Sequence, residues 1–162
     1  MKSSPPASAA ELKARALRLL AGREHTRAEL ARKLAPHAAS PEALEQLLAL
    51  LVEKRLLSEA RFAEERARML GRKYGALRVR QDLRARGVAE DLVERAAAQT
   101  AGAELEQARA IVRRRFGTPA TTPRERARRI RFLQSRGFAY DTIRAALGAS
   151  AEPDAAEDDF PR

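Results

Sequence analysis

Cysteine and tryptophan are missing from this 162-residue chain, and its aromatic residues amount to five phenylalanines and two tyrosines. Without cysteine there is no disulfide framework and no thiolate metal site, which fits a reducing compartment. With so few aromatics, the core must come from the Leu, Ala, Val and Ile that dominate its 44% apolar residues, a composition that suits helices better than sheets. Histidine is almost absent too: His25 and His37 stand 12 residues apart with no H-x-x-x-H spacing, so no metal site is expected and both are read as surface residues. Neither G-x-x-x-x-G-K-S/T nor G-x-G-x-x-G occurs, which removes the common phosphate cradles for ATP or a dinucleotide. No stretch approaches the ~18 apolar residues of a membrane span, and Met1-Lys2-Ser3-Ser4-Pro5-Pro6 lacks the apolar centre of a signal peptide. The expectation is a cytoplasmic all-α protein with no cofactor, no metal and no membrane contact.

Positive charge, by contrast, is plentiful. The net charge is +10, and only five of the 32 basic residues are lysine. It is unevenly laid down, at +1 over 1–10, +3 over 11–57, +3 over 58–102, +7 over 103–148 and −4 over 149–162. Such a balance favours polyanionic partners, nucleic acid above all, through counterion release and steering. An Arg- and Ala-rich composition is also what a GC-rich genome encodes, so a merely solvated basic surface is the alternative. Residues 1–10 are small and Pro-rich and 149–162 are acidic; both read as disordered extensions, leaving 11–148 as the folded part.

Within that part, helix signals recur. Thr26-Arg27-Ala28-Glu29 and Thr122-Pro123-Arg124-Glu125 have the capping-box pattern, the second with Pro at the first helical position, and Ser40-Pro41-Glu42 supplies a cap without the returning carboxylate. Leu44, Leu47, Leu48 and Leu51 then form an i, i+3, i+4, i+7 stripe. Gly22, Gly75, Gly87, Gly102, Gly117, Gly137 and Gly148 fall where helices should end. Nine helices are predicted, near 11–22, 26–35, 41–56, 58–73, 77–86, 89–101, 103–116, 123–136 and 139–147.

The pattern repeats. Leu83, Gly87, Val88 and Val93 return 50 residues later as Leu133, Gly137, Phe138 and Ile143, with Arg78 matching Arg128 and Arg86 matching Arg136. At an offset of 49, Leu30, Leu34 and Leu44 match Val79, Leu83 and Val93, although Ala38 replaces the turn glycine. The chain is therefore expected to be an elongated, curved array of three tandem three-helix modules, at 11–57, 58–102 and 103–148, with one long concave face.

No nucleophile, acid–base pair or catalytic residue stands out. Glu64, Glu65, Asp82 and Glu94 sit among arginines on predicted helix faces and read as ion pairs of a few tenths of a kcal/mol each. Binding is the expected activity. Arg113-Arg114-Arg115, together with Arg124, Arg126, Arg128, Arg129 and Arg131, place eight positive charges in 19 residues, and guanidinium forks suit phosphates or a partner's carboxylates. The negative end of their own helix also favours Arg113 to Arg115, a purely structural alternative. A second basic stretch, Arg72, Lys73, Arg78, Arg80, Arg84 and Arg86, flanks Tyr74-Gly75. Phe62, Phe116, Phe132, Phe138 and Tyr140 have apolar neighbours at helical spacing and read as core rather than as base-stacking platforms.

Three segments carry a family resemblance. Ala16-Leu17-Arg18-Leu19-Leu20, Arg27-Ala28-Glu29-Leu30 and Leu56-Leu57-Ser58-Glu59-Ala60-Arg61-Phe62-Ala63 resemble the start of RecX regulatory proteins. Gly75-Ala76-Leu77-Arg78-Val79-Arg80-Gln81-Asp82-Leu83-Arg84-Ala85-Arg86-Gly87-Val88 is similar to that family's most characteristic stretch, and Arg131-Phe132-Leu133-Gln134-Ser135-Arg136-Gly137-Phe138 to its final module. The resemblance spans 12–148. It implies a monomeric, non-enzymatic protein that lies in the groove of the RecA–DNA filament and suppresses RecA ATPase, strand exchange and filament growth in recombination, DNA repair and the SOS response. Single- and double-stranded DNA would be auxiliary partners. The residues proposed to face RecA or DNA are Arg72, Lys73, Arg78, Arg80, Arg84, Arg113, Arg114, Arg115, Arg128 and Arg131. The competing reading is a stand-alone helix-turn-helix-like DNA-binding or architectural protein, which would need a helix free to enter a groove. The acidic 149–162 segment is not a feature of the family pattern, and it could compete with DNA for the basic face.

Overall fold

The computed structural model describes residues 8–148, which form eight α-helices, one 3-10 turn and no strand. The first helix, α1 (Ala9–Gly22), starts earlier than expected because Ser8 and Glu11 make a complete capping box: Ser8 Oγ accepts from the Glu11 N–H at 3.3 Å, and Glu11 Oε2 accepts from the Ser8 N–H at 2.8 Å. Residues 8–10 thus belong to the fold, whereas 1–7 and the acidic 149–162 segment lie outside the described residues. Hydroxyls also cap α2 (Arg27–Leu34) and α3 (Pro41–Glu53), with Thr26 Oγ1 accepting from Glu29 N at 3.0 Å and Ser40 Oγ from Ala43 N at 3.2 Å. The Thr26 box is only half made, because the Glu29 carboxylate turns to Arg23 and Arg86 instead. Where a turn glycine was missing from the repeat, Ala35–His37 makes one 3-10 turn and Ala38 leaves it in extended backbone.

After α4 (Glu59–Gly71) and α5 (Ala76–Ala85), the two helices expected at 89–101 and 103–116 are one, α6 (Glu90–Phe116), so the count is eight rather than nine. Gly102 does not break it. A mid-helix glycine costs only ~1 kcal/mol, no proline comes after it, and the hydroxyl of Thr100 is turned onto the Ala97 carbonyl at 2.8 Å rather than forward as a cap. The chain ends in α7 (Pro123–Ser135) and α8 (Tyr140–Leu147).

Three separate apolar clusters succeed one another along the chain. Leucines of α1 to α3 build the first; Phe62, Val79, Leu83, Val88 and Val93 centre the second; Ile111, Leu133, Phe138 and Ile143 centre the third. The repeat positions read from the sequence, Leu34/Leu83/Leu133 and Leu44/Val93/Ile143, are all buried. At ~1.5 Å per residue α6 is about 40 Å long, and it feeds Val93 and Ala96 to the second core and Ala108 and Ile111 to the third. The expected boundary at 102/103 lies inside this shared helix.

Backbone contacts close the junction between the second and third modules. The N–H groups that start α5 have no partner in their own helix. Gly75 N–H donates to the Arg136 carbonyl at 2.9 Å, Leu77 N–H to the Gly137 carbonyl at 3.2 Å, and Ala76 N–H to the Glu104 carboxylate at 2.9 Å. The approach leaves no room for side chains: a Cβ on Gly75 would stand 2.3 Å from the Gly137 oxygen, and one on Gly137, whose φ is +78°, 2.5 Å from the Arg78 nitrogen. Gly87 occupies the equivalent turn one module earlier with φ +74°, yet nothing lies within 4 Å of its Cβ position.

Three substitutions test this architecture. Gly102→Ala should raise stability in urea denaturation by about 0.5–1 kcal/mol, as in an uninterrupted helix; no gain would mean that the helix breaks there. Gly87→Ala and Gly137→Ala both incur the left-handed penalty of about 1–2 kcal/mol, but the second must also displace the Arg78 backbone, at about 1–3 kcal/mol more. Equal losses would show the junction to be open.

Candidate nucleic-acid interface

Many of the arginines are structural, and the structure separates them from the rest. At the junction of the first and second modules, Glu29 accepts from Arg23 at 3.1 Å and from Arg86 at 2.9 Å, and Arg86 Nε also reaches Asp82 at 2.9 Å. Asp82 is held from its other side by Arg66, bidentate at 2.8 Å on both oxygens. A five-residue chain of alternating charge, Arg23–Glu29–Arg86–Asp82–Arg66, thus runs from one module into the next. Arg61 joins the modules again, bonding Glu24 at 2.6 Å and the Arg55 and Leu56 carbonyls at 3.0 and 3.3 Å. Arg136, the repeat partner of Arg86, instead donates to the Lys73 carbonyl at 3.1 Å and lies 4.7 Å over the Phe132 ring and 5.8 Å over Tyr74. Sequence reasoning noted that Arg86 and Arg136 correspond but missed what they do. The signal was there: a charged residue recurring beside a turn glycine.

The ten residues proposed from the sequence divide into two that are paired and eight that are not. Arg80 is bound to Glu94 at 2.9 Å, and Arg84 to Glu90 and, at 3.2 Å, to Glu94, so these two staple α5 to α6. Such exposed pairs are weak and exchange readily for a phosphate. Arg72, Lys73, Arg78, Arg113, Arg114, Arg115, Arg128 and Arg131 are exposed and make no ion pair among the described residues. Lys73 and Arg78 sit at the closed junction, and Arg72 opens onto the cleft between α4 and α6. Arg113 to Arg115 occupy the last turn of α6, where its dipole favours them. On α7, Arg124, Arg128 and Arg131 fall at i, i+4, i+7 and face outward, whereas Arg126 and Arg129 turn inward. Arg78 and Arg128, equivalent in the repeat, are both exposed.

Nothing in the described residues resembles a reaction centre. No three metal-ligating side chains gather, and of the four carboxylates expected to form ion pairs two do so, Asp82 with Arg86 along one helix and with Arg66 across two, and Glu94 across α5 and α6, whereas Glu64 and Glu65 make none among the described residues. His25 is a correction. It is 1% exposed rather than on the surface, with Nδ1 2.9 Å from the Arg23 carbonyl and Nε2 3.1 Å from Lys33 Nζ. The carbonyl requires a proton on Nδ1 and the ammonium requires a bare Nε2, so the ring is neutral. Burial lowers its pKa, with the Arg23 and Lys33 charges adding to the effect against the opposing bond to the Arg23 carbonyl and the nearby Glu29.

Family models for the first, second and third three-helix domains of RecX match residues 13–50, 58–96 and 103–147. The chain belongs to the RecX family. It is 47% identical to the regulatory protein RecX of Leptothrix cholodnii over 84% of this chain and 87% of that protein, and 42% identical to the RecX of Herbaspirillum seropedicae over 88% and 91%. RecX from Lactobacillus salivarius, in its crystal structure, shares the fold with a TM-score of 0.75 at 18% identity, over 86% of this chain and 94% of that one. A second RecX crystal structure gives 0.68 at 23% identity, over 83% and 70%. RecX relatives are named as regulatory proteins, and no helix described here is long and apolar enough to cross a membrane.

The ionic junction of this RecX chain makes its stability pH-dependent. His25 has a folded pKa below its ordinary 6.5, so its contribution is complete above about that pH and is lost as pH falls towards the folded value. Asp82, lowered by the hydrogen bonds from Arg66 and Arg86 against burial, follows below its ordinary 3.8. Glu29, which burial raises but Arg23 and Arg86 lower further, follows below its ordinary 4.5. Melting temperature should therefore fall between about pH 7 and 5, and less so in His25→Asn, whose amide can keep the bond to the Arg23 carbonyl. Parallel pH profiles in the two proteins would mean that folding leaves the pKa of His25 unshifted.

Proposed function

We propose that this RecX-family protein binds the RecA–DNA filament and restrains it, inhibiting RecA ATPase, strand exchange and filament growth during recombination, repair and the SOS response. It acts as a cytoplasmic monomer, with single- and double-stranded DNA as auxiliary ligands. The observation that carries the reading is the split between structural and unpaired arginines. Arg86 and Arg136 tie the modules together, while Arg78 and Arg128, one repeat apart, stay exposed and unpaired among the described residues. A tandem array with charge at equivalent places suits a partner that itself repeats, and several modest linked contacts sum to a firm one. Arg72, Lys73, Arg113, Arg114, Arg115 and Arg131 extend that surface, with Arg80 and Arg84 recruited by exchange of their exposed pairs.

A stand-alone helix-turn-helix reading asks each module to act by itself. The shared α6 argues against it, since the third helix of the second module is also the first of the third.

The test is the single-strand-stimulated ATPase of RecA, titrated with this protein from well below to above the RecA concentration. Inhibition supports the reading, and inhibition at strongly substoichiometric amounts assigns it to blocked growth rather than to coating of the groove. Arg113→Ala/Arg114→Ala/Arg115→Ala should weaken the inhibition without loss of folding, and should flatten the salt dependence of DNA binding by roughly 2–3 units of slope. An unaffected ATPase, with DNA binding intact, would leave the stand-alone reading in its place.

A further inference from the structure

Arg129 is the one arginine among the described residues that is both nearly buried and without a carboxylate partner. It is 7% exposed, its Nη1 donates to the Thr118 carbonyl at 2.7 Å, and its guanidinium lies 4.8 Å over the Phe116 ring. Glu125, one turn away, is committed elsewhere, accepting from Thr121 N at 2.9 Å and Thr121 Oγ1 at 3.1 Å. A buried guanidinium has five N–H donors and loses much of its hydration, so it calls for an anion. It lines a pocket of about 300 Å³, and Arg113 and Arg126 line the same pocket. Three arginines thus line one concavity, and no acidic residue among the described residues lines it with them.

The wall of that pocket is the end of α8. Ala146 and Leu147 line it, and Arg126 donates to the Leu147 carbonyl at 3.5 Å and to the Gly148 carbonyl at 2.6 Å. The described residues therefore end at the rim, and the next in sequence are the −4 segment 149–162, with acids at Glu152, Asp154, Glu157, Asp158 and Asp159. Glu152 is four residues beyond Gly148, a reach of up to about 14 Å, and Asp159 eleven residues, up to about 40 Å. We infer that the pocket between α6, α7 and α8 is the docking site of the protein's own acidic C-terminal segment, whose carboxylates pair with Arg113, Arg126 and Arg129.

A short tether holds the segment at an effective concentration in the millimolar range, and bidentate guanidinium–carboxylate pairing supplies the contact. DNA phosphate is the rival anion for the same donors, but it has no tether, and one wall of the pocket is the very segment from which the acidic residues emerge. The docked segment also places negative charge over the +7 module, where it competes with any polyanion.

The test compares the full chain with a full-length variant carrying E152Q, D154N, E157Q, D158N and D159N, all of which lie beyond the described residues. In ¹H–¹⁵N spectra the Nε–H signals of Arg126 and Arg129 should shift between the two proteins, while that of Arg66, in the ionic junction, should not. Superimposable spectra would overturn the proposal. If the spectra superimpose and a short DNA duplex then moves the same two signals, the pocket takes phosphate instead, and the proposal is equally overturned. A tighter grip of the variant on a DNA duplex, by threefold or more at about 50 mM salt, is the corollary for DNA binding. The corollary rests on the DNA reading and the spectra do not, so the two can fail separately.

Discussion

The start of α5 is answered by another module's turn, and much of the molecule's geometry depends on that exchange. Helix starts carry N–H groups that must find acceptors. At five other helix starts a serine or threonine hydroxyl supplies one: Ser8, Thr26, Ser40, Ser58 and Thr122. Gly75 has no side chain to offer, and the acceptors come instead from Arg136, Gly137 and Glu104. Because carbonyls of one backbone reach N–H groups of another, the two modules must approach to hydrogen-bond distance, and that is possible only with glycine on both sides of the contact. The left-handed turn at Gly137 and the continuous α6 serve the same requirement: one aims the carbonyl, the other fixes the spacing of the modules.

The first junction solves the same problem with charge. Arg86 stands where Arg136 does in the next repeat, but it reaches a carboxylate chain instead of a carbonyl and a pair of rings. The two junctions therefore respond to different conditions. A backbone junction in a closely packed environment is little affected by salt or acid, whereas the chain of ions around Glu29 and Asp82 weakens as carboxylates protonate or as ionic strength rises. The neutral His25, wedged between Arg23 and Lys33 in the first module, adds a nearby group whose protonation also opposes the fold.

Much of this was legible in the sequence, and the reason is periodicity. Leu34, Leu83 and Leu133 recur at a near-constant interval because each fills the same core position, so the repeat, the all-α class and the core stripes were readable without coordinates. The fused helix was not, because glycine marks most of the other helix ends here and only the absence of a capping hydroxyl distinguishes Gly102. The charged residues were the hardest to read. Arg128 and Arg129 are adjacent and chemically identical in sequence, yet one faces solvent and the other is buried against Phe116; only helix phase separates them, and the apolar stripe of α7, broken by arginines, fixes that phase poorly. Arg80 and Arg84 likewise look free until Glu90 and Glu94 are placed opposite them across a turn.

The shared α6 also fixes which kinds of chain-length change the family fold can absorb. A helix turns about 100° for each residue added, so one residue inserted between Ala97 and Ala108 would swing the third core around the helix axis and carry Gly137 away from Gly75. The link at 54–58, between α3 and α4, has no such gearing: an extra residue there imposes no rotation, although it must still leave Leu57 in the first core and the Arg55 and Leu56 carbonyls on Arg61. The second and third modules are therefore spaced residue for residue by a rigid rod, whereas the first is spaced by side-chain contacts alone.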